Sequence, residues 1–361
     1  MNEKKGKVFV GMSGGVDSSV SAALLKEQGY DVVGVFIKVW QADFLPCSWR
    51  EERREAMRAA AHLQIPFLTL DLEREYKQEV VDYMIREYSL GRVPNPDVMC
   101  NKHVKFGGFL DFAKAHGADF IATGHYARTA VGSDGSHTLL AGVDREKDQS
   151  YFLWTLTQDQ LAHTLFPVGD LEKSEVRELA RKFGLPNAEK KDSQGLCFMG
   201  AVDMSDFLKH YIKAESGAVL DAEGAVIGEH DGAMLYTIGQ RHGFRTTKRS
   251  PNEAPYVVVS KDLAANTVTV AHQDALPTNE TSRVIKVIGL HLHAPDAPLH
   301  LSEPLTARIR YRGELLSCTI MMHEDGTESV VFEQAPSGIA GGQSIVFYRD
   351  GACLGGAVID A

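Results

Sequence analysis

Residues 7–19 read Lys-Val-Phe-Val-Gly-Met-Ser-Gly-Gly-Val-Asp-Ser-Ser, and no other stretch of the 361-residue chain constrains the fold as tightly. Residues 8–10 are an apolar run that forms a buried strand. The run breaks into Gly11-Met12-Ser13-Gly14-Gly15. Val16, Val20, Ala23 and Leu24 then recur at helical spacing, with Ser18, Ser19 and Ser21 on the polar side. Strand, glycine turn and helix together make a phosphate cradle. Glycines let the backbone approach closely, and free N–H groups at the helix start point at the anion. A pair of glycines alone is equally a tight turn; five specified positions in a row, between a strand and a helix, point to nucleotide binding.

The common ATPase loop ends in Gly-Lys-Ser/Thr, which is absent here. Ser-Gly-Gly-x-Asp-Ser-Ser resembles instead the PP-loop of the ATP-pyrophosphatase superfamily, whose members adenylate a substrate and release pyrophosphate. The downstream pattern agrees. Residues 31–39 are a near-continuous apolar run, as in a strand buried on both faces, and Ile37 lies near its C-terminal end, where open α/β sheets bind ligands. A charged helical stretch at 50–63, a strand at 66–70, a helix at 73–88 and a strand at 119–123 continue the alternation. This pattern predicts an α/β doubly wound parallel sheet.

A chain of this length divides into two or three domains. Hydrophobic content of 44% and charged content of 24% are those of a globular protein; no apolar run reaches membrane-span length, so a cytoplasmic location is expected. The five cysteines are far apart and none has Cys-x-x-Cys spacing, which argues against a zinc site or a disulfide framework. A net charge of −10 excludes a uniformly basic nucleic-acid binder, though not a local basic surface.

Further along, residues 91–102 (Gly-Arg-Val-Pro-Asn-Pro-Asp-Val-Met-Cys-Asn-Lys) read as a rigid loop, with two prolines keeping it out of a helix that begins near Val104. It presents Asp97 and Cys100 three residues apart; on this stretch alone an Asn-Pro-Asp turn beside a buried cysteine is the slightly better reading. An inserted hairpin is expected at 126–143, a charged loop at 144–150, and helices near 158–164 and 172–183, the second capped by Gly184. A second loop cysteine, Cys197, follows two lysines in Lys-Lys-Asp-Ser-Gln-Gly-Leu-Cys-Phe (190–198). Two such cysteines downstream of an ATP loop suggest sulfur chemistry. From about residue 215 strand-and-turn patterns take over, and from about 280 strands recur at the spacing of a small barrel or sandwich. Residues 306–312 predict a strand with Arg308, Arg310 and Arg312 on one face, a row suited to phosphates or simply to solvent.

Taken together, the PP-loop, Asn95-Pro96-Asp97-x-x-Cys100-Asn101, Thr123-Gly124-His125-Tyr126, Lys147-Asp148-Gln149-Ser150, Ser193-Gln194-Gly195-Leu196-Cys197-Phe198 and Thr237-Ile238-Gly239-Gln240-Arg241 resemble one family closely, the tRNA-specific 2-thiouridylases. The resemblance implies a PP-loop catalytic domain at 1–200, a β-rich tRNA-binding domain at 201–278 and a C-terminal β-barrel at 279–361. It implies ATP bound by Gly11, Met12, Ser13, Gly14, Gly15, Val16, Asp17 and Ser18, with Ile37 and Gly124 on the adenosine side and Mg2+ accompanying the phosphates. Asn95, Pro96 and Asp97 would meet the wobble uridine of the tRNAs for Lys, Glu and Gln. Cys197 would carry a persulfide from a cysteine desulfurase or sulfur carrier, and Cys100 would be the second catalytic cysteine, able to close a disulfide with it. His125, Lys147, Asp148, Gln149, Arg310, Tyr311 and Gln343 match positions that contact tRNA, and a monomer is expected. Departures are the composition of 42–58, Ile37 where methionine is frequent, and His242 where a lysine commonly follows Gln-Arg. An amide ligase of the same superfamily, or a nucleotide or RNA binder without catalysis, are the competing readings; the ligase would need a nitrogen source that no motif here suggests.

Overall fold

The structure, a computed structural model, describes residues 5–192, 204–247, 254–272, 283–293 and 304–360. β1 (Lys7–Gly11), β2 (Asp31–Lys38), β3 (Phe67–Asp71) and β4 (Phe120–Ala122) are followed by a hairpin, β5 (Ala127–Val131) and β6 (His137–Ala141), and by β7 (Thr164–Leu165). Five of these make a sheet in the order β3-β2-β1-β4-β7, and every pairing in it is parallel. The alternation along β1 explains the layering. Val8 and Val10 point to one face, where they pack with Val20, Ala56 and Val176 from helices; Phe9 points to the other, with Phe106, Phe109 and Ala113. All of these are essentially sealed from solvent, each burial contributing about 1.5–3 kcal/mol for the large side chains. From β1 the chain runs outward through β2 and β3, whereas β4 and β7 lie on its other side. The end of β1 is therefore the topological switch point, the crevice where such sheets take ligands.

The central domain contains β8 (Gly217–Leu220), β9 (Val226–His230), β10 (Arg245–Thr246), β11 (Tyr256–Asp262) and β12 (Thr267–His272), ordered β10-β9-β8-β12-β11. β13 (Val284–Leu292), β14 (Leu305–Arg308), β15 (Leu316–Met322), β16 (Glu328–Phe332), β17 (Ser344–Arg349) and β18 (Ala352–Ile359) form the last sheet. Its order β13-β16-β15-β14-β17-β18 closes through β13–β18, so the small barrel is the outcome and the sandwich is not. The expected hairpin at 126–143 is present and does more than bridge: β6 pairs with β18, adding two strands of the first domain to the barrel sheet. Among the described residues no helix is long and apolar enough to cross a membrane.

Two expectations need correction. The segment expected to be a loop until Val104 is helical from Pro96: Asn95 Oδ1 accepts the Val98 N–H at 3.3 Å, and Pro96 occupies the first helical position, where its missing N–H costs nothing. The prolines that seemed to exclude a helix in fact start one, which widens into a π-helical stretch, Cys100–Gly108. The arginine row also fails. β14 ends at Arg308, which pairs with Asp148 at 2.9 Å, while Arg312 adopts φ +59 and its Nε donates to the Glu146 carbonyl. Leaving the strand at Ile309 breaks the period-two alternation, so the three guanidiniums do not share a face.

Candidate active site

The loop from Gly11 to Gly15 leaves the end of β1 and enters the helix Val16–Glu27, whose N-cap, Gly15, supplies no side-chain cap. Gly14 has φ +79, and a Cβ there would lie 2.5 Å from the Glu52 carbonyl oxygen, so only glycine fits. Gly124 follows β4 and presses on the helix start: a Cβ there would lie 2.7 Å from Ser18 N and 2.9 Å from Asp17 C. Ile37, beyond Gly11, packs on the apolar clusters that hold Cys100 and Met99.

The loop is clamped from behind. Asn187, 7% exposed, donates its Nδ2 to the carbonyls of Gly14 (3.0 Å) and Gly15 (3.1 Å) and contacts Ser19 Oγ at 3.0 Å. Lys190 reaches the Gly14 carbonyl at 3.4 Å and pairs with Glu55. Taking these carbonyls away from the crevice leaves amide dipoles to meet an anion. Beside the clamp lies a charge network. Asp17 Oδ1 accepts from the Tyr126 hydroxyl (2.9 Å) and Lys173 (2.6 Å); Lys173 also reaches Asp192 (2.9 Å), which is held by Lys147 (2.8 Å) and Arg177 (2.7 Å). Burial would raise the Asp192 carboxyl, but hydrogen bonds from Lys147 and Lys173 outweigh it and bring its pKa to about 2. The three cations outnumber the two carboxylates, and the surplus suits phosphate.

The helix that begins at Pro96 carries the second half of the site. Phe109, further along the same helical run, which continues to Ala115, packs against Gly11 of the loop. Cys100 is 3% exposed, in a cluster with Tyr76, Val80 and Val104, and Asp97 is half-buried nearby. Burial pushes the Asp97 carboxyl up from its ordinary range, with Lys105 opposing. His125 is buried, hydrogen-bonded to Thr123 Oγ1 at 2.8 Å, and its pKa is held well below the usual range by burial and by Lys105, so its ring is neutral at neutral pH. The segment before Asn95 is tied to the barrel: Val93 N donates to the Gly341 carbonyl at 2.7 Å and Gln343 Nε2 donates to the Val93 carbonyl at 2.8 Å. Tyr311 packs on Phe152, the rings tilted by 45° with centres 4.6 Å apart, and Arg310 is exposed beside it.

Residues 6–201 match the family model described as tRNA methyl transferase HUP domain, 205–272 the tRNA methyl transferase PRC-barrel domain and 282–359 the Aminomethyltransferase beta-barrel domain. Full-length relatives fix the family more narrowly. The tRNA-specific 2-thiouridylase MnmA of Enterococcus faecalis is 42% identical over 99% of this chain and 96% of its own. That of Listeria monocytogenes is 45% identical over 98% and 94%, and that of Francisella philomiragia 44% over 98% and 99%. The chain belongs to the tRNA-specific 2-thiouridylase (MnmA) family.

For this thiouridylase-family chain, the expected site residues fall into distinct groups. The nucleotide-loop positions, Ile37 and Gly124 converge at the switch point, and Asn95, Pro96, Asp97 and Cys100 lie on one short helical run packed against it. Lys147 sits in the charge network. Asp148 and Gln149 face inward: Asp148, 3% exposed, accepts from Gly142 N, Ser150 N and Arg308, and Gln149 Oε1 accepts from Tyr126 N. Arg310 and Tyr311 lie together on the barrel, apart from Gln343 at the Val93 junction. Cys197 and its motif Ser193–Phe198 lie outside the described residues. Missed in the sequence were Asn187, Lys173 and Arg177. Asn187 follows a helix stop, Gly184-Leu185-Pro186, and Lys173 and Arg177 are four apart on a helix, so each reads as ordinary surface polarity until the fold brings it to the loop.

Proposed function

We propose that the chain activates the C2 oxygen of a wobble uridine in the tRNAs for Lys, Glu and Gln with ATP and replaces it with sulfur. ATP binds with its phosphates on the amides of residues 11–18, and Lys173 meets their charge. Asp17 would hold the magnesium that accompanies the phosphates, which would neutralise their charge; Tyr126 and Lys173 already orient one of the Asp17 oxygens. The uridine O2 attacks the α-phosphorus and pyrophosphate leaves. Asp97 takes or returns the proton on the base, Asn95 and Pro96 framing it. The terminal sulfur of a Cys197 persulfide attacks C2 and AMP departs with the former O2. The Cys100 thiolate then attacks Cys197 Sγ, releasing 2-thiouridine and leaving a Cys100–Cys197 disulfide, which an external thiol reduces before the next cycle. A cysteine desulfurase, directly or through a sulfur carrier, supplies the persulfide. Lys147, Arg310, Tyr311 and Gln343 form the tRNA-facing positions, and the buried His125, with Asp148 and Gln149, shapes the surface around them. The protein acts as a cytosolic monomer with domains at 1–200, 201–278 and 279–361.

The observation that carries this reading is the seating of the Asp97–Cys100 helical run, through Phe109, against Gly11 of the nucleotide loop, with Ile37 shared between them. The test incubates the protein with ATP, magnesium, a cysteine desulfurase with cysteine, and unmodified glutamate tRNA, and reads 2-thiouridine by nucleoside mass spectrometry. Wild type makes it, and Cys197→Ser does not. AMP and pyrophosphate without thiouridine, even with a sulfur carrier added, would leave adenylation standing and overturn the sulfur route.

A further inference from the structure

Thr237-Ile238-Gly239-Gln240-Arg241 takes no part in the chemistry above, yet the structure builds it with care. Gln240 is its hub. Its Oε1 accepts the Thr237 N–H at 3.1 Å and its Nε2 donates to the His242 carbonyl at 2.8 Å. Its own carbonyl accepts from Val258 N at 2.9 Å, while Gly239 N donates to the Val258 carbonyl at 2.8 Å. The Tyr236 hydroxyl donates to the Gly243 carbonyl. The loop is thus held to β11 by two backbone bonds and braced by three bonds of its own, and its tip holds Arg241 and His242 in solvent.

Beyond the tip the chain turns through Phe244 into Arg245 of β10, and with Tyr256 these residues line an open cavity of about 380 Å³. Its chemistry is one-sided. Two guanidiniums, Arg241 and Arg245, stand at the rim, and among the described residues no carboxylate lines it; Asp231 touches Arg245 at 3.3 Å from outside, in a pair whose arginine side chain is 73% exposed. The wall is aromatic: Phe244 packs on Tyr236 at 6.3 Å, and Tyr256 stacks on His272 at 4.1 Å. Guanidiniums beside ring faces match a phosphodiester and its attached base. A loop already fixed loses little entropy when it binds. In a chain of net charge −10, RNA is repelled by the general surface, so its contacts must concentrate where cations are grouped.

We propose that this cavity binds one nucleotide of the tRNA other than the target uridine, its phosphate on Arg241 and Arg245 and its base or ribose against Phe244 and Tyr256. The site supplies affinity and placement and takes no part in the sulfur chemistry. The proposal rests on tRNA being the substrate. It also gives His242 a place, exposed at the cavity beside the two arginines.

The test is steady-state thiolation of unmodified glutamate tRNA by Arg241→Ala/Arg245→Ala, with direct tRNA binding measured over a range of salt. The tRNA KM should rise about tenfold or more while kcat and the ATP KM stay within about twofold, and the slope of log K against log salt should fall by roughly 2. Arg241→Lys/Arg245→Lys should recover most of that slope, because charge is kept while the fork geometry is lost. An unchanged tRNA KM and slope in the alanine variant overturns the proposal. A raised KM for the sulfur donor with tRNA untouched also overturns it, making the cavity a dock for that protein. If wild type makes no thiouridine, the reaction assigned above is wrong, and the binding measurement on the same variants still decides the cavity.

Discussion

The nucleotide loop and the Asp97–Cys100 helical run meet at the end of β1, but they are held in opposite ways. The loop is pinned by polar groups distant in sequence, with Asn187 and Lys190 on its carbonyls and Lys173 on Asp17. The helical run is held by apolar burial: Pro96, Val98 and Cys100 are sealed, and the chain before it is tied to the barrel through Val93. The polar clamp leaves a charged crevice that can accept a polyanion. The apolar seat desolvates a carboxyl and lifts its pKa, which makes it a better base when ionised. The two halves therefore respond to pH with opposite sign.

Cys100→Ser should separate the halves most sharply. Thiouridine formation should fall on the order of 10⁴-fold or more, as loss of a covalent-catalysis group does elsewhere, while ATP binding by calorimetry stays at the wild-type level; a matching loss of ATP affinity would mean that the two regions are not independent. Next in size is Asp97→Asn, with a loss of roughly 10²–10⁴-fold. In wild type the rate should rise with pH through a limb displaced above the ordinary carboxylate range, since the base is active only when ionised, and the variant's profile should lack that limb.

Asn187→Ala attacks the clamp. Losing a buried donor to two carbonyls costs about 1–3 kcal/mol, so the ATP KM should rise roughly 5- to 150-fold with the tRNA KM unchanged. Asn187→Asp, which turns acceptors toward those carbonyls, should be worse than alanine, and wild-type ATP affinity in the aspartate variant would show that something else holds the loop. The smallest effect concerns stability. Asp192 has a depressed folded pKa of about 2, so its contribution is complete above the unfolded value of about 3.9 and is lost as pH falls through about 2. Asp97 has the opposite sign: its raised folded pKa gives stability below the unfolded value that is lost as pH rises through the folded one. Melting temperatures of wild type and Asp192→Asn should converge toward pH 2 and differ on the order of 2 °C at pH 5.

Much of this was legible in the residues. The parallel sheet followed from alternating apolar runs and helical stretches, and the turn after β1 from glycines at fixed offsets between strand and helix, because these are local demands of the backbone. The errors were local too, but at competing signals. Prolines at 94 and 96 were read as helix breakers, although Asn before Pro96 is a helix start. Three arginines at period two were read as a strand face, although the strand stops at the first of them.

By itself the sequence determined the class of fold, the glycine turn between β1 and the first helix, and the family, because each depends on residue type at short, fixed spacing. Tertiary structure alone decided what surrounds that loop. Asn187, Lys190 and Lys173 reach it only because their segments pack across the helix Val16–Glu27, and Asp148 turns inward to pair with Arg308, a half-buried arginine of the barrel. The hairpin joined the barrel because Ala352 and Cys353, at the start of β18, lie beyond the stretch that pairs with β13 and are left for β6. Such contacts join positions far apart in sequence, where no spacing rule operates, and only the packed core fixes which of them meet.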